Sequence, residues 1–343
     1  MKLGIIGNGD SARSFAGASH FVQGVELFGI AGRNPDRVKP LTEKFGGAPM
    51  SIEELSLADI DCVAVSTPPG LRVAHALPFL KRGVHAMIEK PMALCVEDCD
   101  RMIEAAGRSG ARIMVTQTHR YNPFGRKAFE LVDSGRFGEV VSVRVYSGHD
   151  YFGSKRTGWQ LDPALSGGGV TFNPFIHMVD FARFMARSKV KWFRGTIGRH
   201  KEGYDIEGDV HCLLAFENGA TGVVEVDGYG HLPGHWIEVV MRDAAMRVLP
   251  REKRIEIVMA DRIAETYGFG ENGTKNEHGI YGHWGYINHI AEMREAIEEG
   301  GPILSDGANG RANVAIAYGI LEQNGAPELA EIRKSKPEIR NKF

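Results

Sequence analysis

Apolar runs in the first part of the chain are short, each ends in glycine or proline, and each is followed by about ten residues of helical periodicity. Residues 2–6 stop at Gly7-Asn8-Gly9-Asp10-Ser11-Ala12, and a helix is predicted over 11–21. Residues 25–31 stop at Gly32-Arg33-Asn34-Pro35, where Asn34 caps and Pro35 opens a helix predicted over 36–45. A third run, 60–66, closes at Thr67-Pro68-Pro69-Gly70 before a helix over 72–82. A fourth, 85–88, ends at Glu89-Lys90-Pro91, and a helix over 97–109 leads to a fifth strand at 112–117. This alternation predicts right-handed βαβ units around a parallel sheet.

Beyond His119 the pattern changes. Strand-like stretches follow one another at 139–147, 192–198, 209–216, 221–228, 237–242 and 255–258, with the hairpin signal Asn218-Gly219 between two of them. Helices are predicted only at 122–134, 174–185, 286–298 and 309–324. The expected division is a dinucleotide-binding α/β domain over 1–119 and an α+β domain over 120–343 with a large, mostly antiparallel open sheet.

Charge and cysteine content narrow the classes of function. The 343 residues carry 41 Lys plus Arg against 43 Asp plus Glu, so the net charge of -2 offers no general attraction to nucleic acid or an anionic membrane. No apolar run approaches the roughly 18 residues of a membrane span, and the N-terminus lacks the apolar core of a secretion signal. Cys62, Cys95, Cys99 and Cys212 form no C-x-x-C pair, which suits reduced thiols and a cytoplasmic protein. Cys95 and Cys99 have no nearby histidine to complete a ligand set, and no metal is expected.

The candidate chemistry lies at the strand ends. In G-x-G-x-x-A, Gly7 permits the tight turn, Gly9 lets backbone approach a pyrophosphate, and Ala12 allows helix to pack on strand. The helix N-terminus then presents N–H groups to phosphate. The place of a ribose-binding acid reads Gly32-Arg33-Asn34, which favours NADP, with Arg33 on the 2′-phosphate; Asp36 leaves NAD possible. Lys90 stands where open α/β sheets bind ligands, able to exchange a proton with a hydroxyl; as spacing alone, Glu89-Lys90-Pro91 is also an ordinary charged turn. In the second half, Ser166-Gly167-Gly168-Gly169 precedes Asn173-Pro174. If Pro174 opens a helix, Asn173 and His177 are one turn apart and His177 can relay a proton at neutral pH. The alternative readings are an N-cap for Asn173 and a core residue for His177. Trp159 is either a sugar-stacking surface or a core residue. Tyr151, Lys155 and Arg156 fall in the loop before it, and His278, His283, Trp284 and His289 form a polar aromatic cluster at spacings unsuited to a metal.

Taken in order, G-x-G-x-x-A, T-P-P with His75 downstream, E-K-P, H-R-Y-N-P, and G-G-G with His177 and Asp180 resemble the Gfo/Idh/MocA oxidoreductases over nearly the whole chain. The resemblance implies a Rossmann domain and an α+β domain whose open sheet forms a homodimer or homotetramer. It implies hydride transfer between a nicotinamide cofactor and a carbinol or ketone of a sugar, sugar derivative or cyclitol. Lys90 and His177 would be catalytic; Asn173, Arg120, Tyr121 and Trp159 would bind substrate. Gly7, Asn8, Gly9, Asp10, Ser11, Ala12, Gly32, Arg33, Asn34, Ser66, Thr67, Pro68, His75, Glu89, Lys90 and Pro91 would hold the cofactor. Two departures stand out: Asn173 replaces the family's common Asp, and Trp159-Gln160 its Trp-Arg. The other activities of this fold are a redox-neutral glycosidase, a reductase of non-sugar rings resembling dihydrodiol dehydrogenases, and a non-catalytic regulator.

Overall fold

The computed structural model describes residues 1–153, 156 and 158–325. They divide into two compact units: the first holds 1–121 and 272–314, the second 122–271 and 315–325. Lys155 and residues 326–343 lie outside the described residues.

In the first unit, β1 (Lys2–Ile6), β2 (Glu26–Gly32), β3 (Ala48–Ser51), β4 (Cys62–Val65), β5 (His85–Glu89) and β6 (Ile113–Thr116) form a six-stranded sheet in the order 3-2-1-4-5-6, every pair parallel. Helices α1 (Asp10–Ser19), α2 (Lys39–Phe45), α3 (Ile52–Leu57), α4 (Pro69–Lys81), α5 (Val96–Ser109) and α6 (Thr118–Tyr121) connect or follow the strands. Chain order reverses between β1 and β4, the point at which such sheets open a crevice at their strand ends. The helix predicted over 36–45 is split: Asn34 Oδ1 accepts from Asp36 N–H (2.9 Å) to cap a 3-10 turn, Pro35–Arg37, and α2 begins afterwards with Pro40 in its first turn. β3 escapes the hydrophobic pattern because it is a four-residue edge strand, Ala-Pro-Met-Ser, with no alternation to reveal it.

The second unit contains α7 (Pro123–Asp133), α8 (Pro163–Ser166), α9 (Pro174–Ala186) and an eight-stranded sheet. Its strands are β7 (Val140–Asp150), β8 (Val190–Gly198), β9 (Asp209–Phe216), β10 (Thr221–Asp227), β11 (Tyr229–Met241), β12 (Ala245–Leu249), β13 (Arg254–Met259) and β14 (Arg262–Gly268). They lie in the order 14-13-12-11-7-10-9-8, antiparallel except for β7 beside β10. The turn after β9 is as the sequence predicts, with Gly219 at φ +89° and Asn218 Oδ1 accepting from Ala220 N–H at 3.2 Å. β12 and β14 were not legible: β12 has only five residues, and β14 buries none of its seven, so it shows no alternation of buried apolar positions.

The chain returns to the first unit at Asn272, so 120–343 is not one uninterrupted unit. The return has a hydrophobic cause: α10 (Trp284–Glu299) places Ile287, Ile290 and Met293 in the same core as Leu3, Ala12, Phe15 and Ile30.

Candidate active site

The glycine turn after β1 is fixed from both sides. Gly7 has φ +131°, its N–H donates to the Ala31 carbonyl (2.9 Å), and a Cβ there would lie 2.6 Å from Ser66 Oγ. Ser66 in turn bonds the Ile6 carbonyl through its N–H and its hydroxyl, both at 2.9 Å. Ala12 is fully buried, as helix-on-strand packing requires. Gly9 differs: a Cβ on it would meet nothing within 4 Å. Protein packing does not demand that glycine. Open space over backbone at the N-terminus of α1 fits a diphosphate, and in this respect the turn suits a dinucleotide.

The ends of β4 and β5 are tied together by a residue that the sequence did not single out. Arg72 on α4, only 4% exposed, donates through Nε to the Thr67 carbonyl (2.9 Å) and through Nη1 to the Pro91 carbonyl. Burial lowers the Arg72 pKa to about 10, against the opposing pull of Glu89 and Tyr286. Tyr286 donates to Glu89 Oε1 (2.7 Å) and also hydrogen-bonds Ser11, so one buried phenol links the glycine turn to the Glu89-Lys90-Pro91 turn. Burial, then Glu89, pushes that phenol well above its ordinary range. Lys90 is half-buried on this braced turn, and its bond to Pro91 is cis. His75 Nδ1 lies 3.0 Å from Thr67 Oγ1; burial first, and the Arg33 cation second, lower its pKa to about 4, so it is neutral at physiological pH.

Other predicted residues of this unit are engaged internally. Arg120 Nη1 donates to the Leu304 carbonyl at 2.9 Å. Tyr121 is fully buried; its hydroxyl donates to Glu292 (2.6 Å), and its carbonyl accepts from Asn288 (2.8 Å). His283 caps α10 by accepting from Gly285 N–H (3.1 Å), and His289 packs in the core against Tyr121 with ring centroids 3.9 Å apart. These two histidines brace the unit, while His278 is exposed. Among the described residues no group of three or more His, Cys, Asp or Glu side chains is arranged to hold a metal.

In the second unit, Asn173 and His177 are half-buried while Phe175, Ile176 and residues 178–182 are buried. The two therefore share the accessible side of α9, and His177 is not a core residue. Asn173 occupies the cap position without making a side-chain cap bond. Its side chain instead shares a hydrogen bond with the Tyr151 hydroxyl, whose pKa burial pushes up to about 12. Trp159 lies half-exposed in the 3-10 turn Gly158–Leu161, outside the core.

The loop before α9 depends on Glu207, which no local pattern connects to it. This carboxylate is 1% exposed, and its Oε1 accepts from the N–H groups of Gly169 (2.8 Å) and Thr171 (3.0 Å). Its backbone carbonyl accepts from Val170 (3.1 Å). A Cβ on Gly168 would come within 2.8 Å of Glu207 Oε1, and one on Gly169 within 2.0 Å of the Glu207 carbonyl. Two of the three consecutive glycines exist to admit Glu207.

A parallel sheet of this order, with a glycine turn open at a helix N-terminus and a lysine on a braced strand end, defines a dinucleotide-binding oxidoreductase. The family models agree: "Oxidoreductase family, NAD-binding Rossmann fold" matches residues 1–117 and "GFO/IDH/MocA C-terminal domain" matches 126–247. The chain belongs to the Gfo/Idh/MocA oxidoreductase family. It is 29% identical over 267 residues, 76% of this chain and 67% of the relative, to 1-carboxy-3-chloro-3,4-dihydroxycyclohexa-1,5-diene dehydrogenase of Comamonas testosteroni. It is 22% identical to myo-inositol 2-dehydrogenase of Thermotoga maritima, over 97% and 99% of the two chains. Levoglucosan dehydrogenase, solved with NADH and levoglucosan, shares the fold at a TM-score of 0.84 and 21% identity, over 95% of this chain and 97% of that one.

Proposed function

We propose that this oxidoreductase moves a hydride between a nicotinamide cofactor and a secondary alcohol or ketone on the ring of a sugar, sugar derivative or cyclitol. The observation that carries the reading is the open position over Gly9 beside the α1 N-terminus, accompanied in the same unit by a lysine on a turn held by Arg72. The residues of the glycine turn, of Gly32-Arg33-Asn34, of Ser66-Thr67-Pro68 with His75, and of Glu89-Lys90-Pro91 hold the cofactor, which when bound accepts or supplies the hydride. Lys90 exchanges the hydroxyl proton, and His177 is the proton-relay group that the second unit contributes. Asn173 cannot take a proton; it orients a substrate hydroxyl from its bond to Tyr151. Trp159 offers a stacking face, and Arg120 and Tyr121 hold the segment after β6 in place.

We favour NADP. Arg33 is exposed just past the end of β2, where a cation can meet a 2′-phosphate. The four cysteines form no disulfide among the described residues, which suits work in the cytoplasm. The face of the eight-stranded sheet that shows Trp192 (52% exposed) and Leu213 (53%) suits a homodimer or homotetramer; Leu213→Lys would lower the mass measured by light scattering if so, and an unchanged mass would refute it. The Comamonas relative supports a second substrate class, a diol on a carboxylated non-sugar ring.

The deciding experiment follows absorbance at 340 nm with NAD and NADP separately against pyranoses, inositols, sugar acids, cyclic diols and their keto forms. Lys90→Ala should cut turnover about 10²- to 10⁴-fold, far more than it weakens cofactor binding. Undiminished turnover in that variant would sink the assignment of Lys90, and faster turnover with NAD would refute the NADP preference.

A further inference from the structure

Building on that reading, we propose that the second unit carries a subsite for a carboxylate on the substrate, with Arg156 as its anchor. The Arg156 guanidinium lies over the face of Tyr151, 4.2 Å from the ring centroid, and its Nε donates to the Tyr151 carbonyl at 3.1 Å. These two contacts fix the plane of the cation. Tyr151 is itself 1% exposed, so the platform is rigid. At the other end of the same ring, the hydroxyl bonds Asn173 and approaches the Gln160 carbonyl at 3.4 Å. One buried ring thus sets the spacing between a guanidinium and the Asn173 amide, the first member of the Asn173/His177 pair.

A guanidinium can donate to a neutral hydroxyl, but it pairs more strongly, and through two parallel bonds, with a carboxylate. Arg156 is half-buried, its Nε bond goes to a neutral carbonyl, and the paired terminal nitrogens of a guanidinium match a carboxylate. Where the resembled family has Arg directly after the tryptophan, this chain has Gln160; the cation is supplied four residues earlier instead. The substrate then carries a carboxylate apart from the reacting carbinol, as in a sugar acid or a carboxylated cyclic diol.

The test uses the full chain with its preferred cofactor and matched substrates: glucose, glucuronate and glucose 6-phosphate, and a cyclic cis-diol with and without a ring carboxylate. The acid should be the better substrate of its pair. In Arg156→Gln its kcat/KM should fall about 10- to 100-fold, mainly through KM, and the preference should vanish, with part recovered in Arg156→Lys. A neutral or phosphorylated partner preferred by the wild type, or an acid preference kept in Arg156→Gln, would overturn the subsite. Thermal shift of the cofactor-loaded protein separates the two levels of inference. An acid-specific rise lost in Arg156→Gln, without turnover, would uphold the subsite and refute hydride transfer at these carbinols. Turnover without discrimination would do the reverse, and neither signal would refute both.

Discussion

Gly9 and Gly169 both stand in glycine-rich loops ahead of a helix, yet they are glycines for opposite reasons. A Cβ at Gly169 would collide with the Glu207 carbonyl at 2.0 Å; a Cβ at Gly9 would touch nothing within 4 Å. The second unit uses glycine so that the protein can approach itself, and the first unit uses it so that something else can approach the protein. A glycine that packing does not require, in a turn whose neighbours are tightly fixed, is evidence of a ligand. A glycine that packing does require points instead to its partner, here a buried carboxylate.

The units also differ in how they should fail, and acid gives the largest expected effect. Burial lowers the pKa of His75 to about 4 and of His289 to about 3, and lowers those of His85 and His283; in the second unit His235 is lowered to about 4. The unfolded chain binds these protons from near pH 6.5 downward, while the folded chain resists until far lower. Stability present above 6.5 is therefore lost as pH falls toward 4. His75 and His289 together remove roughly 5 kcal/mol by pH 4.5, at about 1.4 kcal/mol per unit each. Hydrogen exchange should show the first unit losing protection before the second on acidification. His289→Phe should flatten the acid dependence of Tm, because it removes a buried group that resists protonation in the folded chain. Equal acid sensitivity in the two units would break this contrast.

Gly169→Ala comes next. The added methyl must displace backbone, so we expect a loss of roughly 3 kcal/mol, read as a lowered Tm and as lost activity, with cofactor binding retained. A variant as stable as the wild type would mean that the loop and Glu207 are not packed as described.

This contrast explains what the sequence could show. Five of the six strands of the first unit's sheet, all but the edge strand β3, were legible because each strand, turn and helix is contiguous, and Gly7 to Ala12 carries its geometry in six residues. Asn173 and His177 were legible for the same reason, one helical turn apart. Glu207 lies 38 residues from Gly169 and Tyr286 lies 197 from Glu89, and no local periodicity connects such pairs. Arg72 lay inside a correctly expected helix, but its role rests on two carbonyls at the ends of different strands. The elements were a matter of period, the bracing one of tertiary approach. Tyr121 makes the point for substrate contacts: its segment matches the family motif, while its hydroxyl is committed to Glu292.

Glu207→Gln sharpens the reading of the second unit with a smaller perturbation. The amide oxygen still accepts from Gly169 and Thr171, but the charge that strengthens those bonds is gone and the new NH₂ needs an acceptor in a buried place. A loss of about 1–2 kcal/mol is expected. If Glu207 also sets the orientation of the segment that leads to His177, kcat should fall and the pH profile of kcat should move, with cofactor affinity unchanged. A lowered Tm accompanied by an unaltered profile would make Glu207 purely a packing residue.

The smallest effect on stability separates the two glycines most cleanly, because its sign is reversed. Gly9 has φ -88° and ψ -168°, a conformation open to any residue, and its Cβ position is empty. Gly9→Ala should therefore raise the stability of the cofactor-free protein by about 0.5 kcal/mol, through the unfolded chain's lost freedom. The same methyl would occupy the space over the α1 N-terminus and weaken cofactor binding about 10- to 100-fold, measured by titrating protein fluorescence with the reduced cofactor. A gain in Tm together with a loss in affinity is what a glycine kept for a ligand must give. Unchanged affinity would mean that the diphosphate does not approach the backbone at Gly9, and the case for this turn as the phosphate site would fall with it.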